Sequence, residues 1–482
     1  MAVLLFLTFA AWSMGSAVGG SPDEGYVLTS IWCGETGATP ECRKDPDRYW
    51  GMILPTMVAE PQLCYVGQGQ DYSAACQEAI YNQEISTDQL NRGLYPETYM
   101  NVARKFISSD IEGSVVRIRL FNSFIACVMI LFALSINRRR DSDLFISWLA
   151  VIAPVTIYFI SSVNTSSWTL IGATCFVFAL ISAIQNRKNK QLLIAASLLT
   201  VFSIWFTNSS RYEGKYMLIL LGAAVIYSEF APKNVQLNKK TVLIGVAILP
   251  ILLFIYNYFA DVYGRINIFS DSRVEITDGV KTTANNLLLQ NFFNLPRFIM
   301  GFFGGWGLGW FELEMTHTVW LFALQSFLLT TVFALYKSDN VRRSMFGGLF
   351  AVMCMAILYA NQQKFFKIGI SIQPRYFLPF FLGIVIIAAA NKTARFPNSL
   401  VLTVAILATI SNSIALRDTI RRYTTGQDVF ISKSLNNPIE WWWSFGPQPE
   451  TVWLIGTLAF ATLWALLIYD RNKLEILNMR AS

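Results

Sequence analysis

The chain has 482 residues, of which 54% are hydrophobic and only 14% charged, with 36 Phe, 14 Trp and a formal net charge of +7; its mean hydropathy is +0.43. Soluble globular domains carry about 25% charged residues, and disordered chains are poor in aromatic and branched apolar residues, so both classes are excluded. The apolar residues fall into runs of bilayer length, which reads as a polytopic membrane protein.

A membrane helix needs roughly 20 mostly apolar residues. Twelve stretches meet or approach that length: 1–20, 120–137, 143–162, 168–185, 191–208, 216–230, 241–260, 317–336, 344–362, 376–391, 397–416 and 451–469. The first is expected to be a retained span. Its end at Gly15–Gly20 has the small residues of a cleavage site, yet no basic region precedes the apolar run. Lys and Arg in short loops set the orientation. With the amino terminus inside, the inner turns and tail hold 17 of them: Arg138, Arg139, Arg140, Arg187, Lys188, Lys190, Lys233, Lys239, Lys240, Lys337, Arg342, Arg343, Lys392, Arg395, Arg471, Lys473 and Arg480. The short outer loops hold five: Arg211, Lys215, Lys364, Lys367 and Arg375. Both termini are therefore expected in the cytoplasm, and the positive net charge needs no nucleic acid to explain it.

This layout gives a first span (1–20), an outer loop (21–119), spans two to seven (120–260), an outer or interfacial segment (261–316), spans eight to eleven (317–416), an outer loop (417–450), and a last span with its tail (451–482). The inner loops are short, so chemistry is expected on the outer face.

The first outer loop opens with Ser21-Pro22-Asp23-Glu24-Gly25-Tyr26. Ser as cap, Pro at the first helical position and Glu three residues after the cap would start a helix. The same residues put two carboxylates next to a span, where one could serve as general base toward a hydroxyl. The readings are compatible, because a cap fixes the position of the acid. Cys33, Cys42, Cys64 and Cys76 follow in the same loop, an even set that predicts two disulfides on an oxidising side of the membrane. Three pairings are open. Zinc is disfavoured by the long spacings and by a single His, His317, in the chain.

Basic residues in outer loops run against the bias. Arg211, within Ser210–Tyr216, and Lys364 and Arg375 are candidates for a lipid phosphate, which a guanidinium grips through two oxygens; for the lysines, snorkelling to headgroups is an equal alternative. The second long segment predicts an interfacial helix over Asn285–Met300. Five glycines between Gly301 and Gly309 then preclude a regular helix and allow either close approach to a ligand or a turn anchored by Trp306 and Trp310. Trp441-Trp442-Trp443 is expected in an aromatic belt, with a sugar-stacking platform as the alternative. Membrane lipids are thus expected partners throughout. No Asp, Glu, Lys or Arg falls mid-span and no repeat relates the halves, which disfavours an ion-coupled transporter.

Together these motifs resemble a large family of bacterial multi-pass membrane proteins, a domain of unknown function related to the GT-C glycosyltransferases. The family's Pro-Asp-Glu after the first span is matched by Pro22-Asp23-Glu24, with Tyr26 near the place of its usual His. Its Asn-Pro-Ser-Gly element is matched loosely by Asn164-Thr165-Ser166-Ser167. Gly307-Leu308-Gly309-Trp310-Phe311-Glu312 stands for a Gly-x-Leu-Gly-Trp-Leu-Asp element, and Gln373-Pro374-Arg375-Tyr376-Phe377-Leu378-Pro379 for Gln-Gly-Arg-Tyr-Leu-Leu-Pro. The cysteine-bearing stretch has no identified counterpart.

The resemblance implies an all-α, GT-C-like polytopic protein of about 12 transmembrane helices with a disulfide-bearing first outer loop. It implies an inverting transfer of sugar from a polyprenyl-phosphate donor to a glycan, lipid or protein acceptor of the cell envelope. Asp23 would be the base, Glu24 would position the acceptor or a divalent cation, and Arg375, helped by Arg211 and Lys364, would hold the donor phosphate. Tyr26, Asn164, Trp310, Glu312 and Tyr376 would line the substrate. Asp23 and Arg375 are then expected to border one cavity, several ångströms apart. The alternatives are a flippase or transporter of lipid-linked sugars and a non-catalytic assembly scaffold.

Overall fold

The computed structural model describes residues 1–34, 40–137, 141–152, 154–231, 273–275, 281–390, 395–427 and 434–481. The expected span at 241–260 and the inner-loop residues Arg138, Arg139, Arg140, Lys233, Lys239, Lys240 and Lys392 lie outside them.

Two helices open the chain, α1 (Ala2–Met14) and α2 (Glu24–Cys33). A small mixed unit follows, made of β1 (Arg43–Lys44), β2 (Met52–Pro55), α3 (Thr56–Ala59), α4 (Gln77–Ile80), β3 (Glu84–Thr87) and α5 (Glu97–Ala103). Its strands form one antiparallel sheet with β2 central, Met52 standing opposite both Lys44 and Thr87. The chain is mostly helical, as expected, and this small sheet departs from a purely helical fold: burial alternates along β2, as a half-buried strand requires. The disulfides are Cys33–Cys42 and Cys64–Cys76, which settles the choice among three pairings.

The bundle follows as α6 (Ile111–Ser135), α7 (Asp141–Val151), α8 (Pro154–Ile160), α9 (Thr165–Gln185), α10 (Lys190–Asn208) and α11 (Gly214–Phe230). After the paired strands β4 (Arg273–Glu275) and β5 (Lys281–Thr283) come α12 (Ala284–Met300), α13 (His317–Lys337), α14 (Asn340–Gln363), α15 (Leu378–Ala389), α16 (Asn398–Thr424) and α17 (Pro449–Ala481). The amphipathic α12 exposes Leu289, Phe292 and Phe293, as an interfacial helix would.

Among the described residues seven helices are long and apolar enough to cross a membrane, or eight if α7 and α8, set at 89°, count as one. The expected count of 12 is not reached among the described residues, which leave out the span expected at 241–260. Helix α1 has 13 residues and α15 has 12, about 20 and 18 Å at 1.5 Å per residue, against a hydrocarbon layer of about 30 Å. Apolar composition misleads at α15 because every one of its residues is buried in protein, against α7, α9, α11, α13 and α14. Large apolar side chains such as Leu198, Val201 and Val332 instead point outward from α10 and α13.

Helix α1 stops at Met14, and residues 15–22 continue as buried, non-helical chain. Backbone polar groups there have lost their helical partners and must find others. Side chains from distant elements supply them. Arg119 of α6 donates to the carbonyls of Ser13 (3.2 Å), Ser16 (2.6 Å) and Ala17 (2.7 Å). Tyr65 (3.0 Å) and Gln77 (2.7 Å) donate to Val18 O, Trp310 to Gly19 O (2.8 Å), and Tyr158 and Tyr423 to Gly20 O. Trp443 donates to Met14 O at 2.9 Å. Trp441 and Trp443 are buried rather than set in an exposed aromatic belt or sugar platform: Trp443 caps Met14 O and Trp441 packs against the Trp443 ring at 5.1 Å.

The helix start after this segment is also shifted. Helix α2 begins at Glu24, not beside a Ser21 cap, and its preceding residue Asp23 has φ 62°. Half of the expected capping box survives: Ser21 N donates to Glu24 Oε2 at 3.0 Å. The Glu24 carboxylate, fully buried, is gripped by Arg119 at 2.9 Å.

Breaking one side of a buried ion pair costs about 3–5 kcal/mol. Glu24→Gln should lower the melting temperature of the detergent-solubilised protein sharply, and the apolar pair Glu24→Leu with Arg119→Met should not restore it, because three carbonyls lose their donor. Recovery of the wild-type melting temperature in the double variant would refute the capping role.

Candidate functional site

Asp23 tolerates its left-handed backbone because a short polar side chain can satisfy its own neighbourhood there. This conformation presents its carboxylate, one-third exposed, to Arg375. Arg375 comes from the turn ahead of α15. Gln373 is extended, as a residue before proline is, Pro374 opens a single 3₁₀ turn through Tyr376, and Pro379 lies in the first turn of α15, where its missing N–H costs nothing. The buried guanidinium donates to Pro22 O (2.8 Å), to the Asp23 carboxylate and to the Tyr376 hydroxyl (3.2 Å), and it lies over the Phe159 and Tyr376 rings at 5.3 and 5.0 Å. Burial alone would lower the Arg375 pKa, but the Asp23 charge and Tyr376 more than offset this and hold it above its ordinary value.

Asn164 joins the same turn. Its Nδ2 donates to Pro22 O (2.8 Å) while its Oδ1 accepts from Ser166 N (2.9 Å) as the cap of α9. Ser166 Oγ in turn accepts from Arg211 Nη1 at 3.2 Å, and Arg211 Nη2 donates to Tyr95 OH at 3.3 Å. The Arg211 guanidinium stands over Tyr376 (4.5 Å) and Tyr95 (5.2 Å). Arg211 is 6% exposed, its Nε–H has no hydrogen-bond partner, and no carboxylate pairs with it among the described residues. Tyr26 packs edge-on against Tyr95 at 6.1 Å and donates to Leu90 O (3.1 Å). Burial first, then Tyr95 and Asp23, push its phenol up to about 12, so it remains a donor.

Asp23, Arg375, Tyr376, Arg211, Asn164 and Tyr26 thus meet at one place. Lys364 does not: it is exposed and makes no side-chain hydrogen bond or ion pair to them. Trp310 is close by but serves Gly19, and Glu312 pairs with the buried Arg422, which also donates to Tyr65 O (3.1 Å). Glu24 is taken by Arg119, so its expected role toward acceptor or cation is corrected to an anchor. Among the described residues no group of three or more His, Cys, Asp or Glu is placed to hold a metal ion. The expected gap of several ångströms between Asp23 and Arg375 is corrected as well, since the two are in direct contact.

Arg119, Arg422, Tyr95, Tyr158 and Tyr423 were not legible as part of this arrangement. The bias that singles out Arg211 and Arg375 would also have singled out Arg119 and Arg422, but both fall at the ends of long outer segments, which are exempt from it.

A family model described as predicted membrane protein (DUF2142) matches residues 6–384, most of the chain and all four motifs. The chain belongs to this family. No curated protein and no solved structure matches it, so its likeness to GT-C glycosyltransferases rests on the motifs alone.

The family match ends beyond the Arg375 turn, and that turn is packed against the glycine-rich segment. A Cβ added at Gly301 would lie 2.4 Å from Pro374 Cγ. Gly301→Ala should displace the turn and destabilise the protein by about 1–3 kcal/mol, as overpacking does, with a lower thermal midpoint as the readout. An unchanged midpoint would show that the turn can move freely.

Proposed function

We propose that the chain is a membrane glycosyltransferase that takes a sugar from a polyprenyl-phosphate donor and passes it to a cell-envelope acceptor. The observation that supports this reading most is Arg211. Two buried guanidiniums share the Tyr376 ring, yet among the described residues only one carboxylate, Asp23, pairs with either of them. A buried cation without a counter-charge costs several kcal/mol, so the site is short of one anion. A phosphate suits it, with idle N–H groups on both Arg211 and Arg375 aimed into a place of low dielectric.

In the resting chain Asp23 occupies the Arg375 face that the donor phosphate would claim. Donor binding draws Arg375 onto the phosphate and releases Asp23, so the base becomes competent only when donor is present. Asp23 then accepts the proton of an acceptor hydroxyl. The hydroxyl oxygen bonds to the anomeric carbon as the bond from that carbon to the phosphate oxygen breaks, with inversion. The lipid phosphate leaves with its new charge held by Arg375 and Arg211, which is electrostatic stabilisation of the departing group. Tyr26, protonated, and Asn164 hold the Asp23 turn in position. The seven or eight apolar helices seat the reaction in lipid, where a polyprenyl chain resides.

The test is transfer from a labelled polyprenyl-phosphate sugar by the purified full chain in liposomes carrying envelope glycans. Asp23→Asn should cut turnover by at least about 100-fold in protein that is still folded at the assay temperature, with a lowered melting temperature because Arg375 loses its carboxylate, and Arg211→Ala should weaken donor use. Wild-type turnover in Asp23→Asn would reject the base. Movement of the labelled lipid across the bilayer with no glycosidic bond formed would assign the site to a flippase instead.

A further inference from the structure

Beside this site lies an open cavity of about 540 Å³, bounded by the β1–β2 hairpin, the stretch after Leu90, and Tyr212 next to Arg211. Its size falls within the range of small-molecule sites, about 300–1,000 Å³. Tyr95 belongs to both places: its ring lines the cavity and also stacks under Arg211. One aromatic ring therefore separates the cavity from the anion site.

The walls have an uncommon composition. Tyr49, Trp50 and Tyr212 are 78%, 60% and 50% exposed, although large aromatic rings are usually placed where their area is covered. Tyr49 and Trp50 meet edge to face at 4.6 Å and form a corner. The Arg92 guanidinium lies over the Trp50 ring at 4.4 Å and donates to Trp50 O at 2.9 Å, which holds the indole in place. Lys44 stands 5.8 Å from the Tyr49 ring. Neither Lys44 nor Arg92 pairs with a carboxylate among the described residues. Glu97 also lines the cavity, its carboxylate engaged by Asn91 Nδ2. Ring faces suit the C–H face of a pyranose, and the two cations, against one carboxylate already held, suit a carboxylate carried by it.

We infer that this cavity binds an acidic, uronate-type saccharide. Its role as acceptor rests on the glycosyl-transfer reading above; its binding does not. A sugar seated on Trp50 can extend a hydroxyl past Tyr95 toward Asp23.

The probe is tetragalacturonate, titrated calorimetrically into the detergent-solubilised full chain, with maltotetraose and tetraglutamate as comparisons. Wild-type protein should bind tetragalacturonate, and Trp50→Ala and Arg92→Ala should each weaken binding at least tenfold. Trp50→Phe, which keeps a ring face, should weaken it less. No binding by the wild type, unchanged binding in Trp50→Ala and Arg92→Ala, or equal affinity for maltotetraose or tetraglutamate would each overturn the inference. The two readings fail separately. Saccharide binding without any transfer rejects the glycosyltransferase and leaves this site standing, whereas transfer by a wild-type chain that binds no tetragalacturonate rejects this site alone.

Discussion

Everything in this molecule is arranged around a stretch of buried backbone that is not a helix. Between Met14 and Glu24 the chain has no regular hydrogen bonding of its own, and each exposed carbonyl in a low-dielectric interior would cost as much as a lost hydrogen bond. The solution is to recruit donors for these carbonyls from elsewhere. Arg119 comes from α6, Tyr158 from α8, Tyr423 from α16, Trp310 from the glycine-rich turn, Tyr65 and Gln77 from the cystine-bearing unit, and Trp443 from the segment before α17. The segment is thus the point at which that unit and the bundle are joined.

Such capping has a consequence for chemistry. Pro22 O accepts from both Asn164 and Arg375, so the position of Asp23 is set by two elements far apart in sequence. Three of the largest fully buried side chains are arginines, Arg119, Arg375 and Arg422, and each carries one carboxylate: Glu24, Asp23 and Glu312. Only the Asp23 carboxylate is substantially exposed, at 32% against 0% and 15%. The same type of pair therefore serves as a fixed anchor twice and as an accessible site once. Arg211 then adds a charge that no carboxylate answers.

The placement of Arg375 depends on a helix too short to cross a membrane. Because α15 is enclosed by five other helices, its first turn sits inside the protein, and the 3₁₀ turn before it can bring a guanidinium to the end of the bundle without exposing it to lipid. A full-length span at this position would have carried Arg375 to the headgroup level. Shortening α1 has the matching effect, since it leaves room for the capped segment and for Asp23.

Composition, the apolar runs and the order of the motifs were enough to establish a membrane protein of this family, a helical bundle, a cystine-bearing segment after the first helix, and Asp23, Asn164, Arg211 and Arg375 as residues to watch. Those signals are local: hydropathy, loop charge and short spacings each depend on neighbours in the chain. What only the tertiary structure decided was which helices are long enough to cross and which are enclosed, since a buried helix and a lipid-facing helix are equally apolar. It also decided that Glu24, Glu312 and the tryptophans at 441 and 443 hold the fold together, that Asp23 touches Arg375, and that Arg211 has no counter-ion among the described residues. Hydrogen bonds and charge balance are made between residues hundreds of positions apart, and nothing local records them.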